Sequence, residues 1–182
     1  MEGESLRGRL LIAGPGLFDP NFRRTVLLIG EHNDEGALGV VLNRPTPASV
    51  EEVVPPLADV VGRDERLFIR GPVQPQSAVL LAQFDHPDSA DLLVFDSIGF
   101  LMGAVEVEAT REVRRARVFA GYAGWGPGQL EAEIEQDSWI VESPLPEDVF
   151  TPEPDRLWGN VLRRKGGRFA MLALMPFDPS TN

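Results

Sequence analysis

The chain has 182 residues, with 17 lysines and arginines against 28 aspartates and glutamates, a formal charge of −11. This acidity disfavours direct nucleic-acid binding and attachment to anionic membranes, since both need clustered basic side chains. The absence of cysteine excludes disulfides, thiolate nucleophiles and cysteine-ligated metals. The length and a hydrophobic content of 43% predict one globular domain over residues 1–182. Without a signal-peptide pattern or a long apolar span, a cytoplasmic protein that does not enter the membrane is expected.

Short apolar runs in the first quarter of the chain predict strands that are buried on both faces. These runs are residues 9–13, 25–29 and 37–42. The turn-forming residues 32–36 predict a hairpin loop between the second and third runs.

A broken helix is predicted next. Ser49 with Glu52 three residues later fits a capping box, and the apolar residues within 50–57 recur at helical spacing. Pro55 and Pro56 interrupt the pattern, so two short helical pieces are expected.

The remainder of the chain mixes strand and helix signals. Strands are predicted at 67–69, 78–81, 92–95, within 104–118 and at 169–174, and helices at 129–136 and 155–164. Strands interleaved with few short helices do not fit regular βαβ alternation. The sequence therefore predicts an α/β protein of the mixed α+β kind, with a partly antiparallel and strongly curled sheet.

No complete catalytic set is visible in the sequence. There is no G-x-S-x-G nucleophile elbow, and the glycine-rich segment lacks the Lys-Ser/Thr ending of a P-loop. One alternative is a metal-assisted hydrolase that uses His32 with Asp34 or Glu35, although turns commonly contain these residue types. The overall pattern favours a non-catalytic protein without a cofactor.

Arginines beside apolar strands form the first candidate binding element. Arg24 opens the second apolar run, and Arg44 follows the third within residues 42–46. An arginine in such a position needs a carboxylate partner inside the fold or a bound anion. Candidate internal carboxylates are Asp19, Glu31 and Asp96.

The glycine-rich residues 121–131 form the second candidate element. Four glycines and a proline before a helix can present free N–H groups to an anion. The alternative is structural, with the glycines turning the backbone while Trp125 packs.

A direct DNA-binding role would need the few basic clusters of the chain. They comprise Arg111, Arg114, Arg115, Arg117, Arg163, Arg164 and Lys165. Because the total charge is strongly negative and no helix-turn-helix is evident, this alternative is disfavoured.

Several strings together resemble the YqgE/AlgH family of small bacterial proteins. They run in order along nearly the whole chain and include residues 11–26, 31–32, 36–45 (ending Leu-Asn-Arg-Pro), 71–73 and 121–131 (containing Gly-Trp-Gly-Pro-Gly-Gln-Leu-Glu). The resemblance implies a bifurcated mixed sheet curled into a pseudo-barrel with a few short helices packed around it. It implies no established activity, since the family is labelled uncharacterised or, by association with alginate control, a transcriptional regulator.

The sequence thus favours a regulatory module that binds an unidentified protein partner or a small anionic ligand. The candidate ligand-binding residues are Arg24, Asn43, Arg44, Gly124, Trp125, Gly126, Gly128 and Gln129. Whether the arginines and the glycine-rich turn meet at one site depends on the tertiary structure.

Overall fold

A computed structural model describes residues 3–20, 22–62, 65–69, 78–101 and 112–175. The strands are β1 Leu10–Ala13, β2 Val26–Asn33, β3 Gly36–Val41, β4 Pro45–Ser49, β5 Arg66–Ile69, β6 Ala78–Phe84, β7 Leu92–Phe95, β8 Ile98–Leu101, β9 Val113–Ala120, β10 Ala123–Trp125 and β11 Trp139–Glu142. The α-helices are α1 Val50–Val53, α2 Ala58–Val61, α3 Gln129–Glu135, α4 Pro146–Val149, α5 Leu157–Lys165 and α6 Arg168–Leu172. Short 3₁₀ turns lie at Pro55–Leu57, Pro87–Ser89 and Pro154–Arg156.

The strands form two sheets. One has the order β10-β3-β2-β1-β11 and is antiparallel throughout, and the other has the order β4-β5-β9-β6-β8-β7 with β5 and β9 parallel. The predicted mixed α+β class is confirmed, and the two sheets with short helices around them are compatible with a curled pseudo-barrel.

The β2–β3 hairpin confirms the predicted loop. Asn33 pairs with Gly36, so Asp34 and Glu35 form a two-residue connection. Gly36 has a φ of 136°, a conformation that L side chains rarely adopt. The glycine at this position is therefore required by the backbone at the turn.

The apolar run of the short strand β1 is continuous because both faces of the strand pack against a hydrophobic core. Leu10 and Ile12 point into the core between the two sheets and α5, whereas Leu11 and Ala13 point into a second core beneath α3. All four residues are fully buried. Each large side chain removed from water in this way contributes about 1.5–3 kcal/mol. The prediction of burial on both faces is confirmed for this strand, whereas in the third predicted run Leu38 is exposed.

The outer face of the six-stranded sheet is covered by the broken helix. The Ser49 hydroxyl accepts a hydrogen bond from the Glu52 amide at 3.3 Å, as expected for an N-cap. A 3₁₀ turn that starts at Pro55 separates α1 from α2. Val50 and Leu57 pack in the third core cluster, so this prediction is also confirmed.

The prediction of a final strand at 169–174 is wrong, because α6 occupies most of that segment. Short apolar runs do not distinguish a strand from a buried helix, and Ala, Met and Leu favour helix. Phe169 and Leu172 pack against the core that α5 helps to form. Strands β4, β8, β10 and β11 were not predicted, and of the predicted strand segment 104–118 only residues 112–118 are described.

Across the described ranges, none of the helices combines the length and the apolar character that crossing a bilayer requires.

Candidate functional site

Asn43 joins two loops at one end of the five-stranded sheet. Its Nδ2 donates to the Arg24 carbonyl at 2.8 Å, and its Oδ1 accepts from the Val26 amide at 2.9 Å. Arg24 has a φ of 53°, a left-handed conformation that costs a non-glycine residue about 1–3 kcal/mol. Asn43 therefore stabilises the backbone that directs the Arg24 side chain.

Arg44 is bound to the neighbouring loop through carbonyl oxygens. Its Nη2 donates to the carbonyl of Arg23 at 2.9 Å and to that of Pro20 at 3.1 Å. Burial lowers the pKa of the Arg44 guanidinium, which nevertheless stays charged at neutral pH. Because both partners are neutral, these contacts do not balance the charge of Arg44. The internal carboxylate partner offered by the sequence does not hold this side chain.

Arg24 lies over the indole of Trp158. The guanidinium carbon is 4.6 Å from the ring centroid, a cation–π distance, and Nη2 donates to the Met175 carbonyl at 2.6 Å. The ring is itself fixed, because Trp158 Nε1 donates to the buried carbonyl of Ala13 at 2.9 Å. Burial and the neighbouring Arg23 lower the pKa of Arg24.

These side chains surround one open cavity of about 900 Å³. Its lining includes Phe18, Pro20, Arg23, Arg24, Asn43, Arg44, Glu153, Asp155, Arg156, Trp158, Gly159, Asn160, Arg163 and Ala173. We call this cavity the arginine pocket. Three sequence-predicted residues, Arg24, Asn43 and Arg44, therefore meet at one site.

The arginine pocket has the opposite charge to the chain as a whole. Among the lining residues that the structure describes, five are arginines and two are carboxylates, a formal charge of +3, whereas the whole chain has −11. Arg163 Nη2 donates to Asn160 Oδ1 at 2.6 Å, and Arg156 lies 3.5 Å from Glu153 in an exposed pair. Exposed pairs of this kind contribute little stability. The pocket is thus locally electropositive and open to solvent.

The glycine-rich turn lies away from the arginine pocket. Gly124 and Trp125 belong to β10, which pairs with β3, and the Trp125 side chain is buried in the core beneath α3. The Gly126 amide donates to the Gln129 side chain at 3.0 Å, and Gly128 starts α3 with a φ of 72°. None of these residues lines the arginine pocket. The prediction that they bind ligand together with the arginines gains no support from their positions.

Glu133 explains why two tryptophans accompany this turn. Trp125 Nε1 and Trp139 Nε1 donate to Glu133 Oε2 at 2.8 and 3.0 Å. The two rings are also in edge-to-face contact, with centroids 6.1 Å apart. One carboxylate thus satisfies both largely buried indole N–H groups.

Both ring nitrogens of His32 have protein partners. Nδ1 accepts from the Leu6 amide at 2.9 Å, and Nε2 lies 2.5 Å from Glu131 Oε1. Asp34 and Glu35 occupy the hairpin loop. Among the residues with assigned positions, no group of three or more His, Asp or Glu side chains could hold a metal ion. The metal-assisted alternative therefore has no structural support.

Most basic residues considered for DNA binding make contacts within the protein. Arg164 forms a bidentate pair with the buried Asp148, with both distances 2.8 Å. Arg117 donates to the carbonyls of Val149 and Thr151. Other internal partners are Asp85 for Arg114, Gln83 for Arg115, and Val141 for Lys165. Arg111 lies outside the described residues.

Three features of the pocket were not predicted from the sequence. Arg163 was assigned to a possible DNA surface, Trp158 was placed only within the predicted helix at 155–164, and Phe18 was not singled out. The 59% exposure of Phe18 and its contact with Arg23, 6.0 Å from the ring centroid, are visible only in the tertiary structure. The available sequence signal was the Phe-Asp-Pro string just before Arg23 and Arg24. Arg70 and the Gly71–Val73 string lie outside the described residues.

Comparisons with known proteins agree over nearly the whole chain. The family model described as AlgH-like matches residues 10–170. A UPF0301 protein of Streptomyces coelicolor is 46% identical over 188 residues, covering 100% of this chain and 97% of that protein. A UPF0301 protein of Mycobacteroides abscessus is 45% identical, covering 96% of this chain and 87% of that protein.

Solved structures show the same similarity. The crystal structure of protein DIP2367 from Corynebacterium diphtheriae matches with a TM-score of 0.85 and 31% identity, covering 96% of this chain and 95% of that one. The solution structure of AlgH from Pseudomonas aeruginosa matches with a TM-score of 0.71 and 27% identity, covering 97% and 98%.

Proposed function

The chain belongs to the AlgH-like family, and from this premise we propose that it is a non-catalytic, cytoplasmic regulatory module that binds a small anionic ligand in the arginine pocket. The observation that carries the proposal is the convergence of Arg24, Arg44 and Arg163 on one open cavity. These residues come from separate segments of the chain, and the fold brings them together.

The hydrogen-bonding state of Arg44 supports an anion as the ligand. Both of its bonds use Nη2, and within the described part of the chain Nε and Nη1 have no partner. A guanidinium presents its donors in a planar fork that matches carboxylate and phosphate oxygens. Because the Nη2 bonds already hold the Arg44 side chain in place, little further side-chain entropy is lost when an anion binds the remaining donors.

The composition of the lining supports binding rather than catalysis. The described lining contains no histidine, lysine, serine, threonine or tyrosine, so a hydroxyl or amine nucleophile with a histidine or lysine base is not found there. The volume of the arginine pocket lies within the 300–1,000 Å³ range of small-molecule sites. Regulation would follow if occupancy altered a partner-binding surface.

Thermal unfolding and calorimetry with defined anions test the proposal. Inorganic phosphate and pyrophosphate are the probes, with sodium chloride at matched ionic strength as the reference. Saturation at 100 times Kd stabilises a protein by about 2.7 kcal/mol. For a chain of this size, that corresponds to a Tm increase of about 5–10 °C.

Single-residue variants test whether the anion-induced Tm shift arises from binding in the arginine pocket. Arg44→Ala and Arg163→Ala should each reduce the Tm shift, because each removes donors from the pocket. Arg9→Ala, an exposed arginine that does not line the pocket, is the matched control and should keep the wild-type shift. If neither probe stabilises the wild type beyond sodium chloride, the proposed ligand-binding function is wrong.

A further inference from the structure

Carboxylates within the arginine pocket indicate the chemical class of its ligand. This inference rests on the proposed anion binding. Glu153 and Asp155 line the same cavity as the arginines. Each carboxylate weakens binding of a bare anion through charge repulsion. Their presence favours a ligand that also carries hydrogen-bond donors.

The acceptors in this wall are available to a ligand. Within the described ranges, Asp155 has no hydrogen-bond or ion-pair partner. Glu153 has only a long contact of 3.5 Å with Arg156, and both side chains are more than half exposed. Such a pair competes weakly with a bound donor.

The backbone that carries these acceptors is constrained. Pro152 and Pro154 flank Glu153, and proline restricts φ to about −65°. The Glu153 amide donates to Thr151 Oγ1 at 3.1 Å, and the 3₁₀ turn leads directly into α5. The carboxylates and Arg163 therefore belong to one continuous, constrained segment.

The pocket is also much larger than an inorganic anion. A cavity of about 900 Å³ lies near the upper end of the range for drug-sized ligands. Phe18 adds an exposed aromatic ring to the lining, next to Arg23. A phosphate group alone would leave most of this surface in contact with water.

We propose that the ligand is a phosphorylated sugar, with its phosphate on Arg24, Arg44 and Arg163 and its hydroxyl groups donating to Glu153 and Asp155. Carboxylates that accept from ribose hydroxyls are a recurring means of recognising such ligands. A free sugar phosphate and a nucleoside monophosphate share this chemistry. The nucleotide would additionally place its base against Phe18.

Calorimetry with four probes tests this inference. Ribose 5-phosphate carries phosphate and hydroxyl groups, ethyl phosphate lacks the hydroxyls, ribose lacks the phosphate, and adenosine 5′-monophosphate adds a base. Ribose 5-phosphate should bind the wild type at least 10-fold more tightly than ethyl phosphate. Ribose alone should show no binding at millimolar concentration.

The variant Asp155→Ala makes the test sharper because two effects have opposite signs. It should weaken ribose 5-phosphate several-fold by removing an acceptor, yet strengthen ethyl phosphate slightly by removing a negative charge. Glu153→Ala should behave in the same way. Asp88→Ala, an exposed acid outside the pocket, should leave both affinities unchanged.

The outcomes separate the two proposals. If ethyl phosphate binds but ribose 5-phosphate binds no more tightly, or if Asp155→Ala strengthens both ligands alike, the sugar inference is wrong and the anion site stands. If no phosphate compound binds, the proposed function itself is wrong. Tighter binding of the nucleotide than of ribose 5-phosphate, lost in Phe18→Ala, identifies a nucleotide, whereas equal affinities identify a sugar phosphate.

Discussion

Gly36 lies directly against the backbone carbonyl of Trp125. A Cβ atom built on Gly36 would overlap that oxygen, and the φ of 136° independently disfavours any other residue. The contact arises because β10 pairs with the start of β3, with Trp125 opposite Ala37. The hairpin turn and the glycine-rich turn therefore pack against each other so closely that Gly36 has no room for a side chain.

We expect Gly36→Ala to lower the free energy of unfolding by more than 2 kcal/mol, because it combines backbone strain with overpacking against a carbonyl. Gly16→Ala is the matched control, since a Cβ there meets nothing within 4 Å. It should not destabilise the protein, and by restricting the unfolded chain it should add up to about 1 kcal/mol of stability. Urea unfolding of both variants measures the difference, and equal losses would contradict the packing argument.

Glu133→Ala should destabilise the protein by about 2–4 kcal/mol. The substitution leaves the indole N–H groups of Trp125 and Trp139 without their acceptor, and each unsatisfied buried donor costs about 1–3 kcal/mol. Glu133→Gln retains one acceptor oxygen and should lose less. Urea unfolding followed by tryptophan fluorescence reports on both rings.

The control for Glu133 is an exposed acid on the same helix, Glu135→Ala, which should lose no more than about 0.5 kcal/mol. A Glu133→Ala variant as stable as this control would show that the carboxylate does not hold the two tryptophans.

The lowered pKa of Glu131 leads us to expect a loss of stability at acid pH. Hydrogen bonds from its own backbone amide and from His32 lower the pKa of the Glu131 carboxyl below its ordinary 4.5. A carboxyl with a lowered pKa in the folded state contributes stability above the unfolded value, and this contribution is lost as pH falls. Glu142 acts in the same direction: burial raises its pKa, but the Ser143 amide and Lys165 outweigh that effect. Stability should therefore decline below about pH 4.5.

Urea unfolding between pH 3 and 6 checks this expectation. Glu131→Gln should flatten the decline below pH 4.5, because the titrating group is gone. His32→Asn should flatten it partly, since Asn can still accept from the Leu6 amide but no longer reaches Glu131. A Glu131→Gln curve parallel to that of the wild type would exclude this pair as a source of acid sensitivity.

Local sequence patterns were sufficient for many of the elements. The buried strand β1, the hairpin at Asp34 and Glu35, and the N-cap at Ser49 all follow from side-chain periodicity or turn chemistry within a few residues. The segment at 169–174 was misassigned because a short apolar run fits either a strand or a helix. Its packing beside α5 decides between them.

The candidate site was predictable only in part. Arg24 and Arg44 attracted attention because a charged side chain beside an apolar strand requires a partner. The glycine-rich turn was grouped with them because its composition also suits an anion, yet its location depends on long-range pairing with β3. Arg163 and Trp158 lie at the site because α5, which carries both residues, packs against the sheets.

By itself, the sequence determined the family, the total charge of −11 and the residues that start and end many of the elements. These are sums over residues or patterns of neighbours, so they do not depend on how distant segments meet. Only the tertiary structure decided that a chain with this acidic total contains a pocket whose described lining has a formal charge of +3. The sign of a local field depends on which distant charges the fold brings together, and that is set by the packing of both sheets and α5.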